Sequence, residues 1–364
     1  MDLQLAFEVA SSLCIQVALV VAIAFCLRRW LDDAQGNCRL WTVSFVVIIA
    51  MIASGFLLPH RRLFAFPFEF DRDTMLSLLA WQRRLALLLL TGWSSGVIWT
   101  LGIKSLQCAR LLYFLKHRCQ PLDVGTLLDQ LDIDLPSRMV PAVLTSAEVG
   151  GPFCWQLHRP TVVLPDRLLR HDNATIKNVL LHELEHLQTQ HPMQHFLQGV
   201  CSAMFWFHPA IRIAAHEAEL NREFLCDEMV SKTIGSFGRY LKTLATVAEF
   251  CRTPSCTEIT YGTIGFGNSK SCLVRRSERL VKLARVESTP PRWRHWFACG
   301  MLLVLSLLVH QIWLPTNAFA SNRSTWSPWP SWTANALHQV DVKVRDFESF
   351  ETRVHLHEWI HTED

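Results

Sequence analysis

Near the middle of this 364-residue chain stands His182-Glu183-Leu184-Glu185-His186, two imidazoles four residues apart with an acid beside the first. On a helix, residues four apart share one face with Cβ atoms about 5–6 Å apart, so both rings reach one metal ion. A glutamate one position on leans over the open coordination position and accepts a proton from water. The chemistry this spacing points to is zinc-assisted amide hydrolysis, with Glu183 as general base and then as proton donor to the leaving amine. Two histidine ligands call for a third ligand and an oriented partner. Further on, Glu219, Glu223 and Asp227 recur every four residues. Glu223 as ligand and Asp227 as partner of a ligand imidazole supply both needs.

The same pattern recurs at His357-Glu358-Trp359-Ile360-His361. It follows Val340, Val342 and Val344 in strict alternation, which predicts a strand. Residues four apart in a strand are separated by about 13 Å, too far to share one zinc. The second match is read as coincidence.

The elements that position the first match follow from the punctuation around it. Residues 140–146 and 161–164 read as short strands, separated by turn signals at Gly150, Gly151, Pro152 and Pro160. Asp172 or Asn173 caps a helix running to 190 and stopped by Pro192. Its apolar residues Ile176, Val179, Leu180, Leu184 and Leu187 form one broad face. Further helices are expected over 195–207, ending at Pro209, and over 211–231. His208, at that helix end, reads either as an oxyanion stabiliser or as a packing histidine. His191, His195 and His216 support only local polar roles. Residues 196–207 carry no charge but are too few to span a bilayer; they lie against it or fill the core.

Half of the residues are hydrophobic and 18% are charged, and 35 basic against 32 acidic residues leave a net charge of +3. Wholesale disorder and nucleic-acid binding through a basic surface are therefore not expected. Residues 9–27, 40–58, 85–103 and 296–314 form four windows of 19 residues without Asp, Glu, Lys or Arg. Each is long enough to cross a bilayer as a helix. The first is not expected to be a removed signal, because Asp2 and Glu8 precede it and Arg28 and Arg29 follow it. The positive-inside rule puts the N-terminus outside, 104–295 in the cytoplasm and 315–364 outside. Lys104, Arg110, Lys116, Arg118, Arg292 and Arg294 agree; Arg61, Arg62, Arg72, Arg83 and Arg84 in the outer loop do not. None of the 12 cysteines falls in 60–84 or 315–364, as expected if those segments face an oxidising side. Cys251 and Cys256 make a poor zinc knuckle and read as ordinary thiols. Trp326, Trp329 and Trp332 read as an interfacial aromatic belt. Ala318-Phe319-Ala320 resembles a cleavage site, although an uncleaved membrane helix is the expectation.

Taken together, His182-Glu183-x-x-His186, Phe205-Trp206-Phe207-His208-Pro209 and Glu223-Phe224-Leu225-Cys226-Asp227-Glu228 resemble the BlaR/MecR-type membrane metallopeptidases. Pro152-Phe153 and Arg159-Pro160-Thr161-Val162-Val163-Leu164-Pro165 resemble the segment before that family's catalytic helix, although Trp155-Gln156 stands where a glycine is expected. The resemblance covers roughly 140–230 in motif and 1–314 in membrane layout. It implies a gluzincin site in which Glu223 is the third ligand, with Asp227 matching the family's aspartate. The 50 residues after the last window contain no S-x-x-K, so a penicillin-binding sensor is not expected in them.

The expected architecture is mainly α: a polytopic helical membrane protein with a gluzincin-like α+β zinc metallopeptidase domain. Residues 1–103 hold three membrane helices, 104–295 the cytoplasmic peptidase, 296–314 a fourth membrane helix and 315–364 a short external tail. His182, His186 and Glu223 are expected to hold Zn2+. The substrate is a protein, and the resemblance alone implies a winged-helix repressor cut in a signalling pathway; the other partner is the lipid bilayer, with no direct nucleic-acid contact. Two other readings are a non-proteolytic membrane receptor or scaffold that keeps the fold, and a general membrane quality-control gluzincin.

Overall fold

The apolar windows near the N-terminus become long helices in the computed structural model, which describes residues 3–60, 72–135, 140–157, 159–251, 270–285, 291–313, 327, 329–342 and 344. Helix α1 spans Leu3–Trp30, α2 Ala34–Leu57 and α3 Arg72–His117. Within them Ala6–Trp30, Ala34–Leu57 and Ala80–His117 are long and apolar enough to cross a membrane. The third window continues as one helix through His117. The fourth is shorter: α10 covers only Trp293–Val309, 17 residues or about 25 Å at the α-helical rise. Beyond it, Gln311 and Ile312 donate to Leu308 and Val309 in tight three-residue turns.

The chain divides into two compact units. One comprises Met1–Leu27, Val43–Val97 and Cys299–Asp364; the other comprises Arg28–Thr42 and Ile98–Ala298. The second unit carries every element of the candidate site. Its sheet has four strands, β1 (Gln120–Pro121), β2 (Ala142–Ser146), β3 (Phe153–Trp155) and β4 (Thr161–Pro165), in the order β1-β2-β4-β3. β2 and β4 run parallel with Val143 opposite Val162, and β3 runs antiparallel to β4 with Cys154 opposite Val162. The central strand reads Thr-Val-Val-Leu-Pro because both its faces are covered. Val162 and Leu164 pack towards α5 (Asn173–Gln188), while Val163 packs with Leu111, Phe114 and Phe153. Sequence reading missed β1 and β3, two and three residues long, which carry too little alternation to register.

Helix α5 starts as expected. The Asp172 carboxylate accepts from the Thr175 amide at 3.1 Å and from its hydroxyl at 2.8 Å. Ile176, Val179, Leu180, Leu184 and Leu187 all join the core with Leu127 and Leu131 of α4 (Val124–Leu131). Truncating fully buried Leu180 to alanine should destabilise by about 2–5 kcal/mol. The helix ends at Gln188, two residues early, because Gln190 takes the left-handed region at φ 56° and turns the chain into α6 (His191–Met204). Pro192 and Pro209 each open the following helix in its first turn, where a missing N–H is harmless. Thus α6 begins at His191 rather than 195, and α7 runs Pro209–Ile234 rather than 211–231. Gly235, at φ 68°, closes α7 as a left-handed cap before α8 (Phe237–Cys251) and α9 (Lys270–Arg285).

Among the described residues, 340–342 and 344 form no strand. Helix α11 (Ser331–His338) is closed there by Asp341 at φ 60° and by the Val342 amide donating to the Leu337 carbonyl, so Val340 and Val342 belong to a helix cap. The motif at 357–361, Ala318-Phe319-Ala320, Trp326, Arg61, Arg62 and Cys256 lie outside the described residues.

Candidate metal centre

Helix α5 projects His182 and His186 from one face, and α7 packs beside it with Glu223. The helical repeat brings the two Nε2 atoms to 3.2 Å. Glu223 Oε2 lies 3.5 Å from His182 Nε2, and Glu223 Oε1 lies 3.4 Å from His186 Nε2. All three side chains are buried. Ligand bonds of about 2.0–2.2 Å at the tetrahedral angle place donor atoms about 3.3–3.6 Å apart, so this triangle has the dimensions of one face of such a site. Two further features fit a cation. Glu223 Oε2 sits 2.8 Å from Arg276 Nη1 as a contact of charges without hydrogen-bond alignment. Glu183 Oε2 is buried with no hydrogen-bond partner among the described residues. Two imidazoles and a carboxylate are also a zinc-type donor set.

The opposite ring nitrogens are held by different partners. His182 Nδ1 lies 2.9 Å from the hydroxyl of Tyr240 on α8, which donates to Asp227 Oδ1 at 2.8 Å. Asp227 itself is 3.4 Å from His182 Nδ1, so its closest hydrogen-bonded route to the imidazole runs through Tyr240. Asp227 is held in turn by Arg276 of α9, with Nε to Oδ2 at 2.8 Å and Nη2 to Oδ1 at 2.6 Å. His186 Nδ1 faces His191 Nδ1 at 2.9 Å, and Cys226 Sγ lies 3.5 Å from the same His191 nitrogen. His186, His191 and Cys226 therefore form a second buried trio of metal-ligand types.

Burial and charge tune these groups against one another. Burial pushes the Glu183 carboxyl up to about 7, and the nearby Glu223 charge adds to the rise against His186, Arg276 and a hydrogen bond from Cys154 of β3. Burial also pushes Glu223 up, but Arg276 and His186 outweigh it and hold its carboxyl well below the usual range. His191 is held well below the ordinary histidine value by burial first and by His186 second. One carboxylate is thus kept ionised while its neighbour is poised near neutrality, the division of labour that acid–base chemistry uses.

The remaining expected residues fall outside this triangle. Glu219 is half-exposed, accepts from Gln198 Nε2 at 2.8 Å and sits 3.9 Å from His195 Nδ1. His208 is the residue before α7 and packs edge-on against Phe205 and Phe207. Sequence reasoning missed Tyr240, Arg276, Cys154 and the partnership of His191 with His186. A mostly apolar cavity of about 490 Å³ opens beside the site, bounded by Leu101, Lys104 and Leu111 of α3, Cys154 of β3, and Phe196 and Gly199 of α6.

The family described as BlaR1 peptidase M56 matches residues 68–256, a stretch containing both helices that carry the triangle. The regulatory protein BlaR1 of Bacillus licheniformis is 24% identical over 161 residues, covering 44% of this chain and 26% of that relative. The match spans about a quarter of the relative's length.

Proposed function

The chain belongs to the BlaR1 peptidase M56 family, and on that premise we propose that it is a membrane-embedded zinc endopeptidase of gluzincin type. The observation that carries the reading is the buried triangle of His182 Nε2, His186 Nε2 and the Glu223 carboxylate. These residues would hold the zinc ion. When bound, zinc supplies Lewis acidity that polarises the scissile carbonyl and lowers the pKa of water. Glu183 accepts a proton from that water at Oε2, its unpartnered oxygen, and returns it to the departing amine nitrogen. A carboxyl poised near 7 suits both transfers. Tyr240 and Asp227 orient the His182 ring, and Arg276 balances the charges of Glu223 and Asp227. The cavity bounded by α3, β3 and α6 receives a substrate side chain next to Glu183, the residue that Cys154 touches. His208 remains a candidate oxyanion donor on sequence grounds.

The same reading extends to the whole chain. Residues 1–103 and 296–314 anchor it in the inner membrane with the N-terminus outside. Residues 104–295 form the cytoplasmic peptidase, and 315–364 lie outside. The substrate is a cytoplasmic regulator, of the repressor type that the family resemblance implies, cut in response to a signal. The test is Glu183→Gln in the full-length protein, with cleavage of a proteome-derived peptide library and zinc content both measured. Zinc should stay while cleavage falls about 10²–10⁴-fold. Unchanged cleavage would replace the peptidase reading with a scaffold that keeps the fold.

A further inference from the structure

Resting on the reading that His186 binds metal through Nε2, the position of its one hydrogen is fixed. A neutral imidazole carries one N–H and one lone pair, so the hydrogen must sit on Nδ1. That atom lies 2.9 Å from His191 Nδ1, with both rings fully buried. Two ring nitrogens so close need one hydrogen between them. His191 Nδ1 is therefore the acceptor, and the His191 hydrogen sits on Nε2, which has no hydrogen-bond partner among the described residues.

We propose that His191 is a positioning residue for the metal ligand His186: a neutral ring whose Nδ1 accepts the His186 Nδ1–H, fixes the ligand's tautomer and orientation, and sets how tightly the metal is held. The local fold delivers it there. Left-handed Gln190 reverses the chain directly after α5, so the first residue of α6 folds back onto the ring five residues earlier. A left-handed conformation is disfavoured at a non-glycine residue, so this turn persists because its surroundings hold it. The Gln194 side chain does so by donating to the Thr189 carbonyl at 2.9 Å.

The arrangement makes the two imidazoles unequal. His182 is backed by Tyr240 and, through it, by an aspartate, a chain that raises ligand basicity. His186 is backed by a neutral ring and is the weaker donor. The rival reading makes His186, His191 and Cys226 a metal site in their own right. Donors on one tetrahedral metal stand about 3.3–3.6 Å apart; the 3.2 Å between the Nε2 atoms of His182 and His186 lies close to that range, whereas the 2.9 Å between His186 and His191 falls well short of it and is that of a hydrogen bond. Cys226, at 3.5 Å, is the more distant claimant to the same lone pair.

The test uses the full-length protein in detergent. Zinc affinity by chelator competition and thermal unfolding of the metal-free form are measured for the parent, His191→Leu and His191→Asp. Leucine matches the ring in size but accepts nothing; aspartate restores an acceptor and suits the first turn of a helix. His191→Leu should bind zinc about 10–100-fold more weakly and His191→Asp nearly as well as the parent, with both metal-free variants still unfolding cooperatively. Equal affinity in parent and His191→Leu, or equal weakness in both variants, would overturn the positioning role alone. A parent that binds no zinc would overturn the ligand set and this role together. Should His191→Leu not fold, the cobalt-substituted parent decides. Its spectrum should lack a thiolate-to-cobalt band, and an intense band lost in Cys226→Ser would make that trio the metal site and refute the proposal.

Discussion

Each unit buries a cluster of histidines and acids, and the two clusters use their ring nitrogens differently. In the unit built on α1 and α2, His60 Nε2 meets Glu8 Oε1 at 2.9 Å and its Nδ1 lies 3.3 Å from Ser327 Oγ. His310 Nε2 meets Ser54 Oγ at 2.9 Å, and its Nδ1 lies 3.3 Å from Gln16 Oε1. Both nitrogens of each ring have a side-chain partner, which is how an apolar helical setting tolerates ionisable groups. Around α5 and α7 the Nδ1 atoms of His182 and His186 are taken up by Tyr240 and His191. Their Nε2 atoms converge with a carboxylate on one point. Both places bury histidine beside a carboxylate, His60 with Glu8 in one and His182 and His186 with Glu223 in the other. What separates a structural tie from a ligand set is where the second nitrogen points.

That contrast can be broken by substitution. The largest effect should come from Arg276→Met, which leaves Asp227 and Glu223 buried without their cation. We expect a loss of about 3–5 kcal/mol in denaturant unfolding of the metal-free protein; a loss below about 1 kcal/mol would mean that Arg276 does not hold this pair. Tyr240→Phe comes next. It deletes the hydroxyl between His182 and Asp227, and zinc affinity should fall about 10–100-fold. His60→Gln removes the partner of Glu8 and should lower stability by about 1–3 kcal/mol while zinc content stays unchanged. Loss of zinc there would erase the distinction between the two clusters. Asp172→Ala should have the smallest effect, about 1 kcal/mol from the lost α5 cap. The cap hydrogen bonds from Thr175 hold this carboxyl below its usual range. Its contribution is therefore full above the unfolded carboxylate value of about 4 and fades as pH falls through the lower folded one. A thermal midpoint difference that persists unchanged at pH 2 would contradict the cap.

The parts of the site visible in sequence are those carried by short spacings. The interval of four between His182 and His186, the stripe through Glu223 and Asp227, and the Asp172 cap all follow from helical geometry. The long-range partners did not. Tyr240 follows Asp227 by 13 positions and Arg276 follows it by 49, each on another helix. A signal existed: on α9, Arg276 lies on the face of Leu273 and Leu280, and on α8 Tyr240 lies on the face of Leu244 and Val247. A charged or hydroxyl group on an apolar face needs a buried partner. His191 stayed hidden because the break at Gln190 depends on a left-handed residue that is not glycine, and Pro192 looked like a stop when it is a start.

Zinc per chain, measured on purified full-length protein and its Glu219→Ala and Glu223→Ala variants, tests the central claim most directly. A site built on His182, His186 and Glu223 predicts about one zinc in the parent and in Glu219→Ala, and none in Glu223→Ala. Zinc retained by Glu223→Ala and lost by Glu219→Ala would contradict it, because the third ligand would then stand one helical turn earlier.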